Sequence, residues 1–209
     1  LIIIALGIIE FVSMGKIRKG LEEIINQTNV KVELAQEMRF LARHKAVIIR
    51  NILLLQEKAD KEFELTRIAK EESDYAQAHA KLVEIVKDEE GRAILARIIK
   101  GHEETKPLWN RVIELGMANR RDEGIRLLVQ EVRSRQWGWL DSLNDMVALQ
   151  QQYAATSYDK ALHTYVTTRN TFVIIDVLAI VIGLCVAVAI SRSITRPLTD
   201  ITEKVDCIA

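Results

Sequence analysis

The stretch "TFVIIDVLAIVIGLCVAVAISRSITRPLTDITEKV", residues 171–205, sets the architecture of the chain. From Thr171 to Ile190 it is apolar apart from Asp176. Twenty residues of helix rise about 30 Å, enough to cross the hydrocarbon core of a bilayer. Arg192 and Arg196 follow at once, then Pro197 and a short helical pattern. Basic residues just past an apolar span favour the cytoplasmic side. Everything N-terminal to Thr171 is then expected outside, until the chain meets another span.

That other span is "LIIIALGIIEFVSMG", residues 1–15. It carries Glu10, has no initiating Met, and is short for a membrane helix, so it reads as the outer end of a truncated one. No small-residue cleavage pattern precedes Lys16, which argues against a signal peptide. The expected organisation is a first transmembrane helix over 1–15, an outer domain over 16–170, a second transmembrane helix over 171–190, and a truncated cytoplasmic segment over 191–209. Lys16, Arg18 and Lys19 stand on the side this orientation would keep poor in basic residues. Glu10 and Asp176 fall about five residues inside the outer ends of their spans. Antiparallel spans would set them at similar depth near the outer interface, because an ionised acid deep in lipid is costly.

Composition points to long helices. The 209 residues contain nine Gly and two Pro, and helix formers dominate. The formal net charge is zero, which offers a nucleic acid no basic excess. The two cysteines, Cys185 and Cys207, lie in the second span and the tail. The outer domain therefore has neither a disulfide nor thiolates for structural zinc.

Within 16–170 the pattern predicts four helices. The first runs on from the first span to about Glu57, and Asp60 and Lys61 mark a turn. The second covers about Glu62 to Lys87. Asp88 is a candidate N-cap for a third helix ending near Leu115, with Pro107 expected to kink it. "GMANRRDEG" (116–124) makes the next break, with Asp122 as a possible cap, and the fourth helix runs unbroken from about Glu123 into the second span. Short connections make neighbours antiparallel, so the fold class is all-α: an antiparallel up-down four-helix bundle flanked by two transmembrane helices. Met38, Leu41, Ile48, Ile52 and Leu55, and likewise Leu140, Leu143, Val147 and Gln150, recur at heptad-like steps and read as core. Trp137 and Trp139 read as core or interface anchors.

Catalytic chemistry finds no foothold. Di-iron bundles use Glu-x-x-His pairs, and His44, His79, His102 and His163 each lack a Glu three residues before. There is no haem-attachment motif and no phosphate loop. The sequence therefore gives no catalytic residue, no metal ligand set and no cofactor. One constellation does suggest binding. In "RFLARHKAVIIRN" (39–51), Arg39, Arg43 and Arg50 fall within about 40° of one another at 100° per residue, along a stripe about 16 Å long. Arg50 interrupts the apolar run "AVIIRNILLL". Guanidinium forks match carboxylates bidentately, so the partners are either acids on neighbouring helices or a carboxylate ligand.

The order of membrane helix, helical bundle, membrane helix and "SRSITRPLTDITEKV" resembles a bacterial methyl-accepting chemotaxis receptor with a four-helix-bundle sensor. The tail is similar to the first helix of a HAMP linker, in which a proline commonly follows the membrane exit, here Pro197. "IIRNILLLQ", "KPLWNRVIELG" and "VRSRQ" resemble landmarks of that sensor family, and the resemblance spans essentially the whole chain. It implies a homodimer in the bacterial inner membrane with a periplasmic sensor domain. It implies a small-molecule ligand, an organic acid or amino acid, held near the interface of two bundles. Its other wall would come from the start of helix four, placing Arg133, Ser134, Arg135 and Gln136 beside the arginine stripe. Signal would pass through helix four and HAMP to a chemotaxis coupling protein and kinase. The same parts serve sensor histidine kinases, and a purely structural anchored bundle is a third possibility.

Overall fold

The computed structural model of the chain describes residues 2–195, so Arg196, Pro197 and Cys207 lie outside the described residues, as does the side chain of Glu10. Six α-helices follow one another: α1 (Ile2–Glu23), α2 (Asn29–Leu54), α3 (Lys58–Ile85), α4 (Glu89–Met117), α5 (Arg121–Leu127) and α6 (Arg133–Ile190). A wide π-type turn, Ile24–Thr28, joins α1 to α2. A second, Leu128–Val132, joins α5 to α6, and a third, Ser191–Thr195, follows α6. The result is four helical rods and, among the described residues, no strand. The all-α four-helix reading holds.

Two compact units are present: one is Gly20–Tyr158, and the other joins the first 19 residues with the segment from Asp159 onward. The larger unit carries the core. Its α2 face buries Ala35, Met38, Ile48, Ile49 and Ile52, against Leu82 of α3, Ile98, Trp109 and Val112 of α4, and Leu143 and Met146 of α6. These are the heptad positions, and hydrophobic burial along such stripes drives the bundle together. In the second unit, the apolar end of α6 is exposed along nearly its whole length. Its most apolar window has mean hydropathy 3.1 and none of it is buried, so length and composition suit a membrane crossing.

The helix ends correct several expectations. The first break falls at Leu55–Glu57, where Leu55 turns extended and its N–H donates to Asn51 O at 2.8 Å. Asp60 and Lys61 are therefore inside α3, not in a turn, and Leu55 is a cap residue. Asp88 caps α4 as expected, accepting from Gly91 N at 2.6 Å. At the next break Asn119 takes φ 58°, the left-handed conformation that Asn tolerates. Arg120 N–H donates to Leu115 O at 2.8 Å and Asn119 N–H to Gly116 O at 3.2 Å, the two bonds of a Schellman C-cap. Lys61, 3% exposed, reaches across from α3 to donate to both Gly116 O and Asn119 Oδ1 at 2.7 Å. Asp122 does not cap: Arg120 holds that position with no side-chain bond, and Asp122 sits in the first turn. Helix four is likewise interrupted, by the π-type turn at Leu128–Val132. α4 runs on through Pro107.

Candidate functional site

Among the clefts of the larger unit, two bring several charged or aromatic side chains together. The first is an open groove of about 610 Å³ between α2 and the α5–α6 rod. Arg43, Val47 and Arg50 form one wall, at one exposed edge of α2. Leu128 and Val129 of the π-type turn, with Arg133, Gln136 and Trp137, form the other. Among the described residues, no carboxylate pairs with Arg43, Arg50 or Arg133. Three unpaired guanidinium groups and one carboxamide therefore face a common space.

The sequence-predicted set divides here. Arg43, Arg50, Arg133 and Gln136 come together. Arg39 is partly buried elsewhere and donates to Asn144 Oδ1 at 2.7 Å. Ser134 and Arg135 are exposed: Ser134 donates to Glu131 O at 3.3 Å, and Arg135 lies 3.8 Å from the Glu131 carboxylate. Residues 134 and 135 lie 100–200° around the helix from Arg133, so one stretch cannot present all four side chains to one wall. The tryptophans divide for the same reason. Trp139 is 1% exposed in the core, while Trp137 is 53% exposed, so it is not a core residue and lies along the groove.

The second cleft is a cavity of about 140 Å³ inside the bundle. Its walls are aromatic. The Tyr75 ring lies 4.7 Å from that of His102 and edge-on to Trp139 at 5.3 Å, and Trp109 meets Trp139 edge-on at 5.5 Å. Lys45 pairs with Glu72 and stands 4.9 Å over the Trp109 ring, where the ring quadrupole attracts its charge. Behind this layer Glu71 bonds His44 Nδ1, and Arg67 approaches His44 Nε2 at 3.2 Å. A ring accepting from Arg67 at Nε2 carries its hydrogen at Nδ1, toward Glu71.

Burial controls the charges. It pushes His102 down to about 4, helped by the positive Lys45 and Lys106, with Glu72 opposing. Burial also lowers His79 and raises the Tyr75 phenol. The Lys45 ammonium is disfavoured by burial and supported by Glu72, whose own burial is outweighed by the Lys45 hydrogen bond and charge. At neutral pH both imidazoles and the phenol are uncharged. Glu71 Oε2, Tyr75 OH, His79 Nε2 and the indole nitrogens of Trp109 and Trp139 are buried without a protein hydrogen-bond partner. The Trp139 N–H lies near enough to Tyr75 to favour its phenolate slightly, but short of hydrogen-bond geometry. An unmet buried polar atom costs about 1–3 kcal/mol, so these five need a partner. Sequence reading treated His79 and His102 as separate helix residues. They come to line one cavity, each against the Tyr75 ring, only once α3 and α4 are packed in the bundle, which periodicity does not report.

The larger unit is thus a helical bundle with a cationic surface groove and an aromatic-walled cavity. The chain is a member of the family described as the four helix bundle sensory module for signal transduction, whose family model matches residues 1–165. This is the sensor module of methyl-accepting chemotaxis proteins, so the chain is a sensor domain of a signal-transduction receptor. No curated protein matches it.

Proposed function

We propose that this chain is the sensing and membrane-spanning part of a bacterial chemoreceptor, and that it detects a small carboxylate, an organic acid or amino acid, in the periplasm. The observation that carries this reading is the convergence of unpaired Arg43, Arg50 and Arg133 with Gln136 on one open groove. Their like charges repel, and an anion with bidentate oxygens relieves that repulsion. A second copy of the chain completes the site. Phe40, Val47 and Leu54 recur every seven residues on α2 and are 64%, 45% and 57% exposed, an apolar stripe running beside Arg43 and Arg50. Packing two such stripes about a two-fold axis brings an arginine set from each copy together. Ligand binding then shifts α6, which continues through Thr171–Ile190 toward Ser191–Thr195. Packed helices make such shifts between discrete arrangements, and the HAMP segment with Pro197 passes the shift to the coupling protein and kinase.

Calorimetric titration of the 209-residue chain in detergent with a panel of carboxylates tests this. A charge-assisted contact is worth roughly 1.5–3 kcal/mol, so Arg50→Ala is expected to weaken binding about ten- to a hundred-fold. Arg50→Lys restores only part, because an ammonium cannot reproduce the fork. A carboxylate that binds Arg43→Ala, Arg50→Ala and the parent equally well refutes the site. A panel in which only neutral or cationic compounds bind refutes the ligand class.

A further inference from the structure

The second unit holds a groove that neither the carboxylate site nor the bundle core uses. It measures about 160 Å³ and lies between α1 and α6, with Ser13, Met14 and Ile17 on one wall and Tyr165, Arg169 and Phe172 on the other. We propose that it binds one anionic phospholipid of the surrounding bilayer, the phosphate on Arg169 and the top of an acyl chain between the helices. The proposal rests on the membrane-spanning part of the reading above. Depth comes first. Ser13 and Met14 end the apolar stretch 1–15, and Phe172 begins the apolar stretch 171–190. The groove therefore lies where both spans leave the hydrocarbon, and lipid is what covers it there. Its walls are graded in the same sense. Met14 and Phe172 stand toward the spans, Tyr165 and Arg169 away from them, with the guanidinium 6.0 Å over the Tyr165 ring. An exposed tyrosine at headgroup level is an amphipathic anchor. The volume is near that of a cavity that admits benzene, so it takes roughly six carbons of one chain.

Charge then selects the headgroup. Residues 13–19 and 163–172 carry Lys16, Arg18, Lys19 and Arg169 and no acid. Further out, Glu22 and Asp159 are matched in number by Arg18 and Lys160, so Lys16, Lys19 and Arg169 remain in excess. Glu10 and Asp176 lie deeper along their helices, about 9 Å from the level of Lys16 and about 10 Å from that of Arg169. Among the described residues Arg169 has no carboxylate partner; it donates to the neighbouring Asn170 Oδ1 at 3.4 Å. A guanidinium fork matches phosphate oxygens. A choline or ethanolamine headgroup would bring a second cation against the three already there, whereas a glycerol headgroup leaves the phosphate charge free to meet them. The same pairing accounts for Lys16 and Lys19 on the side that the orientation keeps poor in basic residues.

The test is native mass spectrometry of the 209-residue chain in detergent with added phosphatidylglycerol, phosphatidylcholine or glycerol 3-phosphate. One phosphatidylglycerol per chain is expected to be retained at a concentration at least tenfold below that needed for phosphatidylcholine, and glycerol 3-phosphate is expected not to bind. Arg169→Ala is expected to abolish the preference and Arg169→Lys to restore part of it. Arg92→Ala, which removes an exposed arginine of the larger unit, is expected to leave it unchanged. Circular dichroism establishes that each variant is folded. Flotation of the chain with phosphatidylglycerol vesicles at high salt separates this site from the reading it rests on. A chain that does not float refutes the membrane crossing and the site with it; a chain that floats without an Arg169-dependent lipid preference refutes the site alone. The proposal is also overturned if the two lipids are retained alike, if Arg169→Ala retains phosphatidylglycerol as the parent does, or if glycerol 3-phosphate binds as tightly as the lipid.

Discussion

Replacing His102 with glutamine removes one titrating group from the interior of the bundle, and the acid sensitivity of the protein should change by a calculable amount. In the unfolded chain a histidine takes up its proton near 6.5; in the bundle this one does so only near 4, chiefly because burial opposes the imidazolium and secondly because Lys45 and Lys106 repel it. Between those values the unfolded chain binds a proton that the folded chain refuses. Stability is therefore complete above about pH 6.5 and falls as pH drops toward 4. The full interval corresponds to about 3 kcal/mol for a wholly buried ring. His102 is partly exposed, so solvent screening reduces this to about 1.5 kcal/mol. In a folded unit of this size that is about 5 °C in melting temperature. Thermal unfolding by circular dichroism at pH 7.5 and 4.5 should show the parent losing about 5 °C more than His102→Gln. His79 shifts in the same direction but is common to both proteins and cancels. Two melting temperatures that fall in parallel would refute the account of a neutral, buried imidazole.

Lys61→Met should lower stability by about 1–2 kcal/mol in chemical denaturation, because it strips a charged donor from Gly116 O and Asn119 Oδ1 and leaves the buried Gly116 O with only the Asn119 N–H at 3.2 Å. An unchanged or higher midpoint would mean that dehydrating the ammonium costs more than its two bonds return. Gly101→Ala should lower the melting temperature despite the better helix propensity of alanine, worth up to about 1 kcal/mol. The added Cβ would stand 2.8 Å from Trp139 Cβ and 3.0 Å from Trp139 Cα, and overpacking against a backbone costs about 1–3 kcal/mol. A rise would show that α4 and α6 have room to part.

The architecture was legible where one physical rule governs one residue. Heptad spacing identified Met38, Ile48, Ile52 and Leu143 as core, and Asp88 announced the start of α4 by its side chain. The break before α3 was missed because Leu55–Glu57 contains neither Gly nor Pro, while the charged pair Asp60 and Lys61 looked more like a turn than they are. Burial of Lys61 could not be read at all, since its acceptors lie 55 and 58 residues away. The π-type turns leave no mark in hydrophobic periodicity. Of the arginine groove, the α2 wall was visible as Arg43 and Arg50, and Arg133 and Gln136 came from family likeness. The interior cavity was invisible because it exists only once Tyr75, His102 and Trp139, from three helices, are packed together.

The wide turn at Leu128–Val132 has a consequence for insertions and deletions. A π-type turn accommodates one residue more than the helix around it would, and the flanking segments keep their own alignment. The fourth rod thus carries a surplus residue, and the surplus helps to build the groove wall, where Leu128 and Val129 stand. Deleting one residue inside 128–132 would convert the turn to ordinary helix and leave Leu140, Leu143 and Val147 facing the core. Deleting one residue further along α6 would instead turn every later side chain by about 100° and expose the apolar stripe. A change of one residue at Leu128–Val132 therefore resizes the groove while sparing the bundle.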